Sequence, residues 1–284
     1  MAPEPAGGPV GTGRGLLELA RPGNAVAAGG LSAIGAYVAG GAVDAPWAVA
    51  AAVAATVLAT AAGNAINDYF DREVDRLNQP GRPIPRGAVA PRTALAYSLA
   101  LFAAAVALAL TLPVLAVVIA AVNLTALLTY TSWFKGRPGA GNALVAYLGG
   151  STFLFGGAAV GDVGAAGVLF ALAALATFAR EVVKDVEDLA GDAAEGLRTL
   201  PVAVGERRAL WLGAAALVAA VLASPWPYLD GTFGVAYLAL VVPADLVMLY
   251  AAAEAFSDPS AGQTHLKYGM FLAAAAFVVG RAFA

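Results

Sequence analysis

Nine long apolar stretches constrain this chain more than any other feature. They run roughly over residues 24–43, 46–66, 93–111, 112–132, 141–160, 164–180, 208–228, 233–256 and 268–284. A helix needs about 20 mostly apolar residues to cross a bilayer. Lipid offers no partner to an open backbone, so stretches of Ala, Leu, Val and Gly at this length predict helices. Their many small residues suit close helix–helix packing. Only 12% of the residues are charged while 60% are hydrophobic, against about 25% charged in a soluble domain. The chain therefore reads as an all-α integral membrane protein, with nine transmembrane helices bundled around a central apolar chamber. Residues 1–13, rich in Gly, Pro and Ala, read as a disordered tail without the layout of a cleaved signal. Residues 14–284 read as a single domain.

The charges support the span count. If the N-terminus and the connections after spans 2, 4, 6 and 8 share one side, that side holds 15 of the 16 basic residues, and only Arg281 is left over. The positive-inside rule makes that side cytoplasmic. The opposite connections carry Asp44, Asp162 and Asp230, with Trp47, Trp226 and Tyr228 as interfacial anchors. The expected location is the cell membrane, multi-pass, with a cytoplasmic N-terminus.

Two cytoplasmic connections carry carboxylates in matching order. After span 2, a continuing helix places Asn64, Asp68, Asp71 and Asp75 within an arc of about 60° at 100° per residue. After span 6, Glu181, Asp185, Asp188 and Asp192 form a second stripe, so each connection has the spacing DxxDxxxD. Stacked carboxylates repel one another and call for a cation between them. The chain has no cysteine and one histidine, which excludes disulfides, thiolate nucleophiles and Cys/His zinc sites. Mg²⁺, held by carboxylates together with phosphate oxygens, is the natural candidate. The plain alternative is a pair of solvated helix faces, salt-bridged to Arg72, Arg76 and Lys184. Matching spacing on one side of the membrane favours the metal reading.

Basic groups flank the stripes. Arg82 and Arg86 lie in the proline-stiffened run Gly81-Arg82-Pro83-Ile84-Pro85-Arg86-Gly87, Tyr130 and Lys135 close span 4, Lys184 lies within the second stripe and Arg198 follows it. Guanidinium forks suit phosphate oxygens. Arg207 and Arg208 read as topology charge, and the net charge of −3 gives no argument for nucleic acid. His265 reads as a solvated or interfacial residue, and Asn123 as a hydrogen-bonding tie between helices. Asp245, near the middle of span 8, leaves two readings open: a functional intramembrane carboxyl, or one satisfied by the backbone that Pro243 frees.

A metal-bound diphosphate at the mouth of an apolar bundle suggests a substrate with a charged head and a long hydrocarbon tail, such as a prenyl diphosphate. Metal and basic residues would stabilise the departing diphosphate, and apolar walls would keep water from an allylic cation. The segments GNAINDYFDREVDRLNQPGRPIPRG (63–87), GNALVAYLGGSTFLFGG (141–157), REVVKDVEDLAGDAAEGLRTLP (180–201) and LLELARPGNAVAAG (16–29) resemble the UbiA superfamily of intramembrane prenyltransferases. Within it they look most like the archaeal branch that builds ether lipid. The resemblance implies nine helices, two Asp-rich cytoplasmic motifs and Mg²⁺ dependence. It also implies transfer of a geranylgeranyl group from geranylgeranyl diphosphate to the 2-hydroxyl of geranylgeranylglyceryl phosphate.

Carried over residue by residue, Asn64, Asp68, Asp71 and Asp75 match the first metal motif, and Asp185, Asp188 and Asp192 the second. Asp68, Asp71, Asp185 and Asp188 are expected to be the residues on which catalysis turns. Arg82, Tyr130, Lys135 and Lys184 are expected on the donor diphosphate, and Arg21, Asn24, Arg86 and Arg198 toward the acceptor. No obligate protein partner is inferred beyond the lipid bilayer. The rival readings are a prenyltransferase acting on a quinone precursor, tetrapyrrole or carotenoid and, more distantly, a cation or phosphate transporter. Transport sites usually lie near the bilayer midplane, whereas both stripes lie at one membrane end.

Overall fold

The computed structural model describes residues 9–130, 134, 137–194 and 196–284. Among these residues it has fourteen α-helices and no strand: α1 (Pro9–Ala20), α2 (Pro22–Val38), α3 (Pro46–Phe70), α4 (Arg72–Asn78), α5 (Pro91–Ala109), α6 (Val114–Thr129), α7 (Ala140–Ala159), α8 (Gly164–Glu187), α9 (Leu189–Ala194), α10 (Leu200–Val204), α11 (Glu206–Ala223), α12 (Trp226–Leu229), α13 (Val235–Glu254) and α14 (Pro259–Ala282). Proline opens α2, α3, α5 and α14, where its missing N–H would have no helical partner in any case. The Asp258 side chain caps α14 by accepting from the Ala261 amide at 3.0 Å.

The nine apolar stretches correspond to α2, α3, α5, α6, α7, α8, α11, α13 and α14. Among the described residues five segments are long and apolar enough to cross a membrane: α3, α5, α8, α11 together with α12, and α13. The boundaries depart from the sequence reading in four places. Residues 9–13, read as tail, belong to α1, while residues 1–8 lie outside the described part. Helices α3 and α8 run on to Phe70 and Glu187 and so carry the first carboxylates of both stripes. Helix α11 ends at Ala223, before Pro225. Helix α14 starts at Pro259 rather than at 268, which places His265 and Lys267 on a helix instead of in a connection.

Small residues bring two helices into backbone contact. A Cβ on Gly35 of α2 would overlap the Phe153 carbonyl of α7, and a Cβ on Gly156 of α7 would overlap the Ser32 carbonyl of α2. In an apolar solvent such close approach is itself a source of association. One apolar cluster ties α8, α11, α13 and α14 through Ala179, Leu217, Met248 and Leu266. Another ties α3, α6 and α7 through Ala55, Ile119 and Phe155. Large apolar side chains are exposed on the outer faces, among them Leu115 and Val122 of α6, Leu222 of α11 and Leu246 of α13. This is the surface of a chain solvated by lipid. Trp47, Trp226 and Tyr228 are also exposed, as interfacial anchors require.

All nine long helices contribute to the wall of one cavity of about 1530 Å³. Ala, Leu, Val, Gly and Phe make up most of its lining, and Asn64, Asn67, Tyr130 and Arg180 are among the polar exceptions.

Candidate active site

The two carboxylate stretches break their helices at equivalent residues. Helix α3 ends at Asp71 (φ −80°, ψ −1°) and α8 at Asp188 (φ −86°, ψ 0°), each the middle Asp of its DxxDxxxD run. Backbone hydrogen bonds continue across both breaks, from the Asp75 amide to the Asp71 carbonyl at 2.8 Å and from the Asp192 amide to the Asp188 carbonyl at 3.0 Å. The breaks therefore turn the chain without unwinding it, and each stripe is shared between a long helix and a short one.

In the first stretch Asp68 and Asp75 are both buried. One nitrogen of Arg82, Nη1, donates to Asp75 Oδ2 at 2.6 Å and to Asp68 Oδ1 at 3.3 Å, so a single cationic atom bridges the two carboxylates. Arg21 donates to the same Asp68 oxygen at 2.6 Å. The loop that presents Arg82 is anchored by buried Ile84 and Val89, which pack with Leu19, Ala65 and Ala94. Its turn closes through Gly87 at φ 78°, a conformation that glycine adopts without steric strain. Arg82 Nε is itself held by Gln79 Oε1 at 2.8 Å. Asn64 lines the cavity and donates to the Ala20 carbonyl at 3.0 Å, and Asn24 donates to Asn64 Oδ1 at 3.5 Å.

In the second stretch, buried Asn142 of α7 donates to Asp185 Oδ2 at 2.8 Å. Lys184 donates to Asp188 Oδ2 at 2.7 Å, one turn along the same exposed face. Tyr130 joins the two halves: it lines the cavity and lies within electrostatic reach of Asp71 from one stretch and of Glu181 and Asp185 from the other. Among the described residues no three carboxylates lie close enough together to hold a metal ion on their own. Arg21 and Arg82 pair with Asp68, Arg82 with Asp75 and Lys184 with Asp188, while the neutral Asn142 amide hydrogen-bonds Asp185.

Other expected residues separate from this centre. Arg86 donates to Glu18 at 2.6 Å and to the Gly81 carbonyl at 2.8 Å, an exposed arrangement beside α1. Its guanidinium holds the Glu18 carboxyl below the usual carboxylate range. Arg198 is exposed between α9 and α10. Lys135 lies outside the described residues. Asn123 lines the cavity, and its buried Oδ1 accepts no hydrogen bond, so that oxygen does not make the interhelical tie expected of it. Asp245 is satisfied by Ser224 Oγ at 2.6 Å and not by backbone freed at Pro243. His265 pairs with Glu254 at 2.5 Å on the outer edge of α14.

Asn142 was not singled out as a site residue, although it lies in one of the segments that carry the resemblance. The only available signal was an amide near the start of an otherwise apolar span.

An apolar chamber within a helical bundle, with two Asp-rich stretches at one end, defines the class of protein. Residues 29–275 match the UbiA prenyltransferase family, and the chain belongs to it. It is a multi-pass membrane protein. Among curated relatives, the digeranylgeranylglyceryl phosphate synthase of Halobacterium salinarum is 70% identical over 270 residues, covering 95% of this chain and 98% of its own. That of Natronomonas pharaonis is 66% identical over 269 residues, covering 94% and 97%. A solved structure described as giving insight into digeranylgeranylglyceryl phosphate synthase in membranes superposes with a TM-score of 0.86 at 33% identity, covering 95% of this chain and 98% of that one. A UbiA homolog from Archaeoglobus fulgidus, described as bound to GPP and Mg²⁺, superposes with a TM-score of 0.73 at 20% identity, covering 93% and 99%, and supports the fold alone.

Proposed function

We propose that this chain transfers a geranylgeranyl group from geranylgeranyl diphosphate to the 2-hydroxyl of geranylgeranylglyceryl phosphate, forming the second ether bond of an archaeal membrane lipid. The observation that carries the reading is the cavity of about 1530 Å³ with Asn64 and Tyr130 in its wall beside both Asp-rich stretches. Pockets for drug-sized ligands are about 300–1,000 Å³, so this one has room for two long hydrocarbon tails. The acceptor follows from relatives at 70% and 66% identity that carry that synthase's name. The nine long helices cross the membrane, with the Asp-rich stretches and the N-terminus on the cytoplasmic side, where 15 of 16 basic residues collect.

The donor set suits Mg²⁺. It consists of hard oxygens, and Arg82 Nη1 already occupies a position between Asp68 and Asp75 that one cation can share. Asn64, Asp68, Asp71 and Asp75 would hold metal on one side and Asp185, Asp188 and Asp192 on the other. A divalent cation held there would supply charge neutralisation for the departing diphosphate. Arg82, Tyr130, Lys135 and Lys184 orient the donor head through its phosphate oxygens. The apolar wall excludes water from the allylic carbon. The bond from C1 to the diphosphate oxygen breaks with its electron pair on the diphosphate. The acceptor oxygen bonds to C1, and its hydroxyl proton is released.

The test is to incubate purified protein in lipid with geranylgeranyl diphosphate and geranylgeranylglyceryl phosphate, with Mg²⁺ or with chelator, beside a panel of aromatic acceptors. Metal-dependent appearance of the doubly prenylated glycerol phosphate by mass spectrometry is the expected result. Product with an aromatic acceptor alone would overturn the choice of acceptor, and equal product in chelator would overturn the metal.

A further inference from the structure

Two cationic side chains line the cavity among the described residues, Arg180 of α8 and Lys267 of α14. Neither belongs to the group around the first Asp-rich stretch, where Arg21 and Arg82 are engaged by Asp68 and Asp75. At 1.5 Å per residue Arg180 lies about 10 Å short of the cytoplasmic end of α8, and Lys267 about 12 Å in from the start of α14. Their helix neighbours Ala179 and Leu266 belong to one buried cluster, and both cationic side chains line the same cavity. Arg180 leaves α8 about 140° round from Asp185, which faces Asn142 of α7. Arg180 is thus presented to the chamber on a different side of α8 from Asp185, with Glu181 as its carboxylate partner.

The proposed reaction brings together two phosphorylated lipids, and their heads must be held apart while the hydroxyl of one meets C1 of the other. The donor diphosphate has the Asp-rich stretches, Arg82 and Tyr130. We infer that Arg180 and Lys267 seat the monophosphate of the acceptor. The inference rests on the proposed acceptor. Arg180 now donates to Glu181 Oε1, and Lys267 lies 6.0 Å from the Phe271 ring. A guanidinium has five donors, so Arg180 can keep Glu181 and still bind phosphate. The Glu181 carboxylate offsets part of the positive charge that Arg180 offers the phosphate.

The experiment compares geranylgeranylglyceryl phosphate with geranylgeranylglycerol, which lacks the phosphate, as acceptors for wild type, Arg180→Gln, Lys267→Gln and Glu181→Gln. Wild type is expected to prefer the phosphorylated acceptor. Arg180→Gln and Lys267→Gln each raise its KM at least tenfold, with the donor KM within twofold and with transfer to geranylgeranylglycerol retained. Glu181→Gln lowers the acceptor KM. If Arg180→Gln does not fold, the exposed Lys267 position and the Glu181→Gln gain carry the test. Equal wild-type use of both acceptors, an unchanged acceptor KM in Lys267→Gln and Glu181→Gln, or a parallel rise in donor KM would overturn the seat while leaving the proposed function standing. Wild-type transfer to aromatic acceptors alone would overturn both.

Discussion

The Arg21 guanidinium donates to Asp68 Oδ1 at 2.6 Å from a residue whose own backbone is left-handed, at φ 47° and ψ 66°. Among the described residues Arg21 is the one non-glycine with positive φ. Pro22 disfavours the right-handed region for the residue before it, and the kink between α1 and α2 turns the arginine toward α3. Holding a side chain in this region costs about 1–3 kcal/mol, and such strain concentrates at functional sites.

Removing that guanidinium tests the link. Arg21→Ala leaves Asp68 buried with one fewer charged partner, and hydrogen bonds to charged groups are worth about 1.5–3 kcal/mol. Transfer activity should fall by about tenfold or more. Arg21→Gly should lose the same activity yet melt at a higher temperature than Arg21→Ala, because glycine adopts φ 47° without strain. Equal melting temperatures in detergent would remove the strain account.

The two stripes separate function from stability differently. Asp188 pairs with Lys184 on a half-exposed face, and such pairs are worth about 0–1 kcal/mol. Asp188→Ala should therefore leave thermal unfolding nearly unchanged while transfer falls at least about a hundredfold, the scale of losing electrostatic transition-state stabilisation. Asp68→Asn should match that loss and also destabilise, since it leaves Arg21 and Arg82 facing a neutral amide. Normal product from both variants, followed by mass spectrometry, would remove the carboxylates from the mechanism.

Asn142 holds Asp185 by a single hydrogen bond, and removing it tests a positioning role. Asn142→Ala leaves the Asp185 carboxylate without its 2.8 Å donor, a loss of about 1–3 kcal/mol. The KM for Mg²⁺ should rise more than the KM for donor, and Asn142→Gln should restore little because its longer arm cannot reproduce the contact. A change in donor KM alone would contradict this role.

Much of this arrangement was legible because it is periodic. Apolar runs of bilayer length located the nine long helices, and the DxxDxxxD spacing located both stretches at helix ends. The breaks at Asp71 and Asp188 were not legible, since no proline or glycine marks them and backbone hydrogen bonds continue across them. Partner choice was also hidden. Arg21 and Asp68 are 47 residues apart, and Asn142 and Asp185 are 43 apart, so only tertiary packing brings them together. Arg82 was visible as a stiffened loop residue, but its bridge depends on Ile84 and Val89 being buried beneath it. The apolar run over 208–228 hides the break at Pro225, which divides it into α11 and α12.

The contact between α2 and α7 gives a prediction whose sign reverses within one helix. A methyl on Gly35 meets the Phe153 carbonyl, and a methyl on Gly156 meets the Ser32 carbonyl, so either Gly→Ala substitution must push two backbones apart. Overpacking of this kind costs about 1–3 kcal/mol or more. Gly30, also on α2, has nothing within 4 Å of where its Cβ would lie. Gly30→Ala should therefore stabilise by about 0.5–1 kcal/mol through helix propensity alone. Thermal unfolding of the three variants in one detergent tests the packing directly. Gly35→Ala and Gly156→Ala should melt below wild type and Gly30→Ala at or above it. A melting temperature for Gly156→Ala equal to that of Gly30→Ala would mean that α2 and α7 are not in backbone contact.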